Sequence, residues 1–443
     1  MSEVRLKRSL TTKDLVIYGI NFMIPIAPFA WYGLYVQPSN GMVALAYAIG
    51  LVAMLFTGFS YVTMSRNYPV SGSVYTYVQS TTNPALGFIA GWAMMLDYIF
   101  IPVVCYLVGG LFFQQFIGIP IIICVIVFAI LTTIINSLGI KLVAQVSWGL
   151  FFLEILCIGW FLIGVIRLLI LGEAHLNYVA FYNPVDFELS GVLSATVIVV
   201  ISYLGFDAIS TLAEETHDAK KSIGRATIIS IVSIGILFVV LTYFAGVIFP
   251  DWSTLNSDTA FLDILQIVGG KPLVLLSSLT LVLAFGVTCG LEGQTAVTRL
   301  LFCMGRDKIM PSFFAKLNPK YNTPVLGTIF IGVMSVLVSF IGLDLLAQML
   351  SFGALIGFMI LNLAVAWRFY IKGAEDRSFI KHLVSPVLGF LICAYIFTSV
   401  TPIAVKVGGS WMLVGFIYLL FKTRFFTKKA PTINIDDVIA EVE

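Results

Sequence analysis

Twelve long apolar blocks constrain the fold of this chain more than any other feature. By hydropathy they lie near residues 15–36, 41–64, 85–114, 119–138, 142–171, 190–213, 226–249, 272–302, 324–341, 344–370, 383–402 and 408–425. A helix rises 1.5 Å per residue, so about 18 or more apolar residues cross the roughly 30 Å hydrocarbon core of a membrane. Composition agrees, because 59% of the 443 residues are apolar and 11% are charged, whereas roughly a quarter are charged in soluble domains. We therefore predict an all-α polytopic membrane protein with twelve transmembrane helices.

Basic residues are distributed unevenly between the two sides of these spans. With the N-terminus inside, all but three of the 25 lysines and arginines fall on inner ends or inner loops, and the exceptions are Arg167, Lys271 and Lys406. Cytoplasmic loops carry an excess of basic residues, so we predict a multi-pass cell-membrane protein with both termini in the cytoplasm. Residues 1–14 lack a small-residue cleavage site and are predicted to be a cytoplasmic tail, as are the polar residues 426–443.

Several classes of protein are disfavoured by what the sequence lacks. The net charge is +2 and the basic residues lie between apolar blocks, so no face for nucleic acid is predicted. No Walker loop, zinc motif or nucleophile elbow occurs, and we predict neither an enzyme nor a bound cofactor or metal. The cysteines lie in apolar stretches without a CxxC pair and are interpreted as small packing residues. They are Cys105, Cys124, Cys157, Cys289, Cys303 and Cys393.

Two of the predicted spans contain residues that interrupt a helix. Pro25 and Pro28 lie three residues apart in the first span, where each removes a backbone donor. The sixth span carries Gly205 and the ionisable Asp207 at a corresponding place. Paired interruptions in two halves of a membrane protein are typical of a carrier's central site. A proline kink and a packing glycine are the alternative interpretation, and a channel would instead need a continuous polar stripe.

Four stretches of the chain match a known family of transporters. They are Pro69-Val70-Ser71-Gly72-Ser73-Val74-Tyr75-Thr76-Tyr77; Gly87-Phe88-Ile89-Ala90-Gly91-Trp92 with Leu96-Asp97-Tyr98; Tyr203-Leu204-Gly205-Phe206-Asp207 with Glu214-Glu215-Thr216; and Arg299-Leu300-Leu301 with Met304-Gly305-Arg306-Asp307. On these motifs the chain resembles the amino acid–polyamine–organocation transporters, and among them the putrescine importer type of permease.

The resemblance implies a five-plus-five inverted repeat with broken helices 1 and 6. One repeat would span about 15–171 and the other about 190–370, followed by two trailing helices at about 383–425. It implies alternating access and a small amine or amino acid as substrate, with transport driven by protons, sodium or exchange. For this chain we predict import or exchange, with a proton ahead of sodium as the coupling ion. We expect a monomer or weak homodimer. A passive channel, or a receptor with a transporter fold, is the alternative.

The first break departs from the family pattern in two ways. Where the family has a glycine-rich break that holds a substrate carboxylate, this chain reads Pro25-Ile26-Ala27-Pro28-Phe29, so two of five N–H donors are missing. This weighs against an α-amino acid and favours an amine or a neutral solute. The putrescine importer type tends to carry an acid shortly after the break, whereas this chain has Ala30, which weighs against a polyamine.

Charged residues inside a span are costly, so each needs a partner or a function. We predict that Glu154 in the fifth span carries the coupling proton, the alternative being a structural hydrogen bond between helices. Glu292 in the eighth span is predicted to bind the substrate ammonium, the alternative being a polar pair that bridges helices. Asp97 and Asp207 are assigned to gating or coupling. The predicted substrate-binding residues are Ile24, Ile26, Ala27, Tyr98, Ile201, Ser202, Tyr203, Gly205, Phe206 and Glu292.

Overall fold

A computed structural model describes residues 6–257, 259–373 and 377–432. Within these residues all extended elements are helices, and the only strand-like pairing is one β-bridge between Leu10 and Thr216. The prediction of an all-α polytopic protein is confirmed. Residues 1–5, the acidic Asp258 and most of the predicted C-terminal tail, 433–443, lie outside the described residues.

The first half of the chain forms eight helices. They are α1 (Thr12–Phe22), α2 (Ala27–Val36), α3 (Val43–Asn67), α4 (Ser73–Thr81), α5 (Pro84–Ile117), α6 (Ile121–Ser137), α7 (Ile140–Leu171) and α8 (Leu189–Val199). Two 3-10 segments, Val200–Tyr203 and Phe206–Glu215, continue α8.

The second half forms seven more helices. They are α9 (Ala219–Ile248), α10 (Ala260–Leu283), α11 (Gly290–Arg306), α12 (Val325–Val338), α13 (Leu343–Val365), α14 (Ser385–Phe397) and α15 (Pro402–Lys422). A π-helix, Ala284–Cys289, joins α10 to α11, and α10 is kinked at Gly270. Two further π-helices, Ala366–Ile371 and Ile380–Val384, lie beside α13 and α14, and short 3-10 turns cover Trp252–Thr254, Ser312–Ala315 and Ser339–Ile341.

Nine helices among the described residues are long and apolar enough to cross a membrane. The short helices α1 and α2 meet at an angle of 40°, and together they form a tenth span if they are counted as one broken helix. Two shorter apolar segments, Ile121–Ser137 and Val325–Ile341, coincide with the fourth and ninth predicted spans. The total of twelve spans stays a prediction. The helix α15, which contains the twelfth predicted span, begins at Pro402, six residues before the predicted start. Lys406 therefore lies in its first turns.

Local sequence fixes where several of these helices begin. Thr11 and Asp14 form a capping box at α1, in which each side chain bonds to the backbone of the other residue. Asn83 caps α5, Asp218 caps α9 and Thr401 caps α15, each by accepting a bond from a free N–H of the first turn. These caps satisfy backbone donors that a helix end otherwise leaves unpaired.

Burial separates a central group of helices from a peripheral one. About two thirds or more of the most apolar stretch is buried in four central spans, whereas α14 and α15 are mostly exposed. The central spans contain α5, α8, α10 with α11, and α13. The helix α7 is also largely exposed, and its exposed side chains include the large apolar Ile163 and Ile170, which suits contact with lipid. The central helices therefore enclose the polar residues that the sequence places within the spans.

Candidate functional site

The first helix break separates α1 from α2 at residues 23–26. Ile24 has a φ of +55°, and its N–H bonds to the carbonyl of Asn21 at 3.0 Å. The N–H of Ala27 bonds to the carbonyl of Ile24 at 2.8 Å. Pro25 and Pro28 have no N–H, so Ile26 carries the one remaining amide between residues 24 and 28. That amide faces the carboxyl group of Glu154 on α7 without forming a hydrogen bond to it.

The second break lies in the span that begins with α8. Leu204 is extended, with a ψ of 140°, and Gly205 has a φ of +120°, which interrupts the helical hydrogen bonds before Phe206. A Cβ at Gly205 would lie 2.2 Å from Cδ1 of Phe22, the last residue of α1. The two breaks therefore pack directly against each other, and only glycine fits at this contact.

We expect Gly205→Ala to abolish uptake and to lower the melting temperature of the purified protein. The added methyl group would overlap the Phe22 ring, and alanine is strained at a φ of +120°, at a cost of at least about 1–2 kcal/mol. Gly149→Ala on α7 is the matched control, because a Cβ there meets no atom within 4 Å. Equal uptake and equal melting temperatures for the two variants would contradict this account of the break.

Asp207 occupies the start of the helical segment that follows the second break. Its carboxyl group accepts a hydrogen bond from the hydroxyl of Tyr98 on α5 and another, at 3.2 Å, from the N–H of Gly205. The N–H of Asp207 itself also faces it, whereas that of Ala208 donates to the carbonyl of Gly205 at 3.1 Å. The start of a helix attracts negative charge. A carboxyl group of the protein therefore fills the position in which the free amides of this half-helix could hold a substrate carboxylate.

Asp97 lies one residue before Tyr98 on α5 and is also buried. One of its oxygens, Oδ1, has no hydrogen-bond partner among the described residues. Its charge is close enough to that of Asp207 for the two carboxylates to repel each other. An unpaired buried carboxyl group is unfavourable, so this pair is suited to take up a proton or a cation.

Glu154 and Glu292 form a second group of buried acids near the first break. Glu154 is 1% exposed, and neither of its oxygens has a hydrogen-bond partner among the described residues. Oε1 of Glu292 accepts a bond of 2.8 Å from the hydroxyl of Ser147, while its Oε2 has no partner there. The two carboxyl groups are close enough to interact electrostatically. Tyr18 on α1 donates to the backbone carbonyl of Glu292 at 2.8 Å, which ties α1 to α11.

Buried charge in the described part of the bundle is strongly unbalanced. The buried arginine is Arg299, and its guanidinium group already forms two 2.9 Å bonds to Glu215. The other carboxyl groups buried within the spans have no cationic partner among the described residues. They are Asp97, Glu154, Asp207 and Glu292.

Four further predicted site residues have side chains that form no hydrogen bond to these acids among the described residues. Ile201 is 41% exposed, and the Ser202 hydroxyl bonds to Tyr35 at 3.2 Å on the α2 side of the break. Tyr203 donates to the carbonyl of Tyr47 at 2.7 Å and packs between α3 and α9. Phe206 stacks on Phe358 of α13. These contacts place the four side chains in the packing around the second break.

Sequence reasoning missed a thiol pair at the first break. The sulfurs of Cys105 and Cys289 lie 3.0 Å apart, and Cys289 donates to the backbone carbonyl of Phe22 at 3.4 Å. It also missed Asn21, whose side-chain NH₂ group bonds to the Ser147 carbonyl at 2.7 Å beside Glu292. Cys289 and Glu292 are three residues apart, and residues at this spacing share a helix face. The sequence therefore contained a signal that Cys289 lies on the same side of its helix as Glu292.

Comparison with known proteins places the chain in a family. The family model described as amino acid permease matches residues 23–371. The low-affinity putrescine importer PlaP of Escherichia coli (strain K12) is 32% identical over 442 residues, covering 97% of both chains. The branched-chain amino acid permease BcaP of Bacillus subtilis (strain 168) is 28% identical over 95% of this chain and 94% of its own. The methylthioribose transporter of the same organism is 25% identical with the same coverage.

These matches confirm the resemblance seen in the sequence motifs, and they point to a transporter rather than an enzyme. The two breaks and the buried carboxyl groups fall within the matched residues, in a membrane-spanning bundle. The chain therefore belongs to the amino acid permease family and is a secondary transporter of amines or amino acids.

Proposed function

We propose that this transporter carries a small organic amine without a carboxylate, by alternating access and with a proton as the coupling ion. The observation that carries the proposal is the set of four buried carboxyl groups without a cationic partner among the described residues, Asp97, Glu154, Asp207 and Glu292. Buried carboxylates are tolerated when they are neutralised or paired. An ammonium group supplies that pairing, and a proton supplies it when the ammonium group is absent.

The free backbone donors at the two breaks are too few for a zwitterionic amino acid. The amides of Ile24 and Ala27 are bonded within the first break, and that of Ile26 faces Glu154. At the second break the amides of Gly205 and Asp207 face the carboxyl group of Asp207, and that of Ala208 is bonded to the carbonyl of Gly205. A substrate carboxylate would meet like charges in place of donors. An amine avoids this repulsion.

Glu292 is proposed as the ammonium partner and Glu154 as the site of the coupling proton. Glu292 keeps one oxygen free while Ser147 orients the other. Glu154 lies against the amide of the first break, so a change in its charge acts directly on the junction between α1 and α2. Asp97 and Asp207 are assigned to gating, because the bond from Tyr98 to Asp207 joins α5 to the start of the second half-helix.

The relatives carry different substrates, and the buried charge favours one of them. Branched-chain amino acids are named for one relative and putrescine for another. The unpaired acids of this chain suit a cation such as putrescine better than a zwitterion. We further propose cytoplasmic termini, an inverted repeat formed by about 15–171 and 190–370, and a monomer or weak homodimer as the working unit.

The test is a thermal-shift experiment with matched pairs of ligands. Putrescine is ornithine without its carboxylate, and isopentylamine is leucine without its carboxylate. We expect the amine of at least one pair to stabilise the purified protein and its amino acid to do so much less. A ligand at about 100 times its dissociation constant should add roughly 2.7 kcal/mol. Stabilisation by the amino acids alone would contradict the proposal, and so would an unchanged amine affinity in Glu292→Gln.

A further inference from the structure

A second polar cavity lies apart from the four buried acids, at the end of the bundle where α2 and α9 end. Its volume is about 560 Å³. It is bounded by the residues after α2, by the connection between α7 and α8, and by the turn after α9. Under the proposed topology this is the extracellular face. Its polar and aromatic lining includes Tyr32, Asn40, Asn183, Asp186, Asp251 and Trp252.

The charge of this cavity is negative. Asp186 and Asp251 both line it, and none of its lining residues is a lysine or an arginine. One oxygen of Asp186 accepts a bond from Asn183 at 2.7 Å, and one oxygen of Asp251 accepts a bond from Ser253 at 2.8 Å. The second oxygen of each carboxylate forms no hydrogen bond to the described residues. The cavity therefore offers two oriented carboxylates to a cation.

An aromatic ring is held in place beside these carboxylates. A Cβ at Gly41, which has a φ of +81°, would lie 2.5 Å from Cδ1 of Trp252, so the glycine lets the indole pack closely on the backbone. The side chain of Gln37 donates to the carbonyl of Trp252 at 3.3 Å. The face of an indole attracts cations, and quaternary ammonium groups are often bound in this way. This ring is therefore positioned by its surroundings.

Tyr32 supplies a further sign that the cavity accommodates a ligand. Its side chain is 1% exposed and lines the cavity, yet its hydroxyl group forms no hydrogen bond to any described residue. This hydroxyl is not one of the fully enclosed polar atoms without a partner, so it opens into the accessible space of the cavity. A ligand bound there would exchange a hydrogen bond with it.

We propose that this cavity is a second binding site, specific for a small organic ammonium ion. The carboxylates of Asp186 and Asp251 neutralise the ion, the Trp252 ring covers its apolar surface, and the lack of a basic lining residue disfavours ligands that carry a carboxylate. Tyr32 lies six residues beyond Ile26 on α2, about 9 Å along the helix axis. The site can thus concentrate ammonium ions near the first break. This capture role rests on the proposed function, whereas binding itself does not.

Binding of tetramethylammonium chloride to the full chain in lipid nanodiscs tests the site, with sodium chloride used to match ionic strength. We expect saturable binding by ligand-observed NMR, weakened at least tenfold in the double variant Asp186→Asn with Asp251→Asn and also in Trp252→Leu. Asp344→Asn, an exposed acid outside the cavity, is the matched control and should bind normally. The measurement is repeated in the Glu292→Gln background, which lacks the proposed central ammonium partner, so that the saturable binding that persists there reports on this cavity alone.

Three outcomes would overturn the site. They are no saturable binding to the unmodified protein, unchanged affinity in the double variant, and loss of binding in Glu292→Gln. Displacement of the probe by micromolar calcium would instead identify a metal site and overturn the assigned ligand class. An unchanged KM for amine uptake in a double variant that has lost binding would overturn the capture role.

Discussion

Replacing Glu154 by glutamine is expected to abolish uphill accumulation of substrate, reducing proton-driven uptake in proteoliposomes about a hundredfold or more. Glutamine keeps the size and polarity of the side chain but cannot gain or lose a proton. Neither oxygen of Glu154 has a hydrogen-bond partner among the described residues, so the substitution breaks no bond within them. The loss should therefore be confined to coupling. Substrate binding and downhill exchange should persist in this variant.

The control for this experiment is Glu173→Gln, which removes an exposed carboxylate just beyond the end of α7. Its uptake should equal that of the unmodified protein at every pH gradient. Accumulation by Glu154→Gln against a concentration gradient, driven by an imposed proton gradient, would show that the coupling proton is carried elsewhere. Loss of downhill exchange together with accumulation would instead place Glu154 in substrate binding.

Replacing Arg299 by methionine is expected to be the most destabilising of these substitutions, at about 3–5 kcal/mol. Arg299 and Glu215 are 0% and 1% exposed and form a bidentate pair. Removing the arginine leaves a buried carboxylate without its partner. The double variant Arg299→Met with Glu215→Leu removes both charges and should regain most of the lost melting temperature. The readout is thermal unfolding in detergent, followed by tryptophan fluorescence.

A more exposed ion pair provides the comparison. Arg306 and Glu214 lie 2.8 Å apart with 24% and 12% of their side chains exposed. Because water already screens this pair, Arg306→Met should cost much less than Arg299→Met. Equal losses in the two single variants would contradict the importance of burial. A double variant no more stable than Arg299→Met would show that packing, rather than the unpaired charge, causes the loss.

The sequence predicted the all-α polytopic membrane class correctly, because hydropathy over about 20 residues depends little on tertiary contacts. It did not predict the helix boundaries and the local helix type where contacts with neighbouring residues determine them. The helix α9 begins at Ala219, seven residues before the predicted start, because the Asp218 cap extends it through basic residues. The π-helix at Ala284–Cys289 has no signal in hydropathy. The first difference lies at a helix end and the second inside an apolar run, and residue composition does not determine backbone geometry at either place.

The candidate site was predictable in its residue types but not in its contacts. Pro25, Pro28 and Gly205 marked the two breaks, since each changes the backbone directly. The sequence could not show that the Asp207 carboxyl group accepts a bond from the N–H of Gly205 or that the Ala27 amide is already bonded. These bonds depend on how α5, α7 and the two breaks meet in three dimensions. They are also the contacts on which the proposal of an amine as substrate rests.

Uptake of labelled putrescine by proteoliposomes, with unlabelled putrescine or ornithine as competitor, tests the central claim most directly. The two competitors differ by one carboxylate, which is the group that the buried acids should exclude. The account predicts saturable uptake that ornithine inhibits at least tenfold more weakly than putrescine, a difference of about 1.4 kcal/mol or more. Equal or stronger inhibition by ornithine would contradict it.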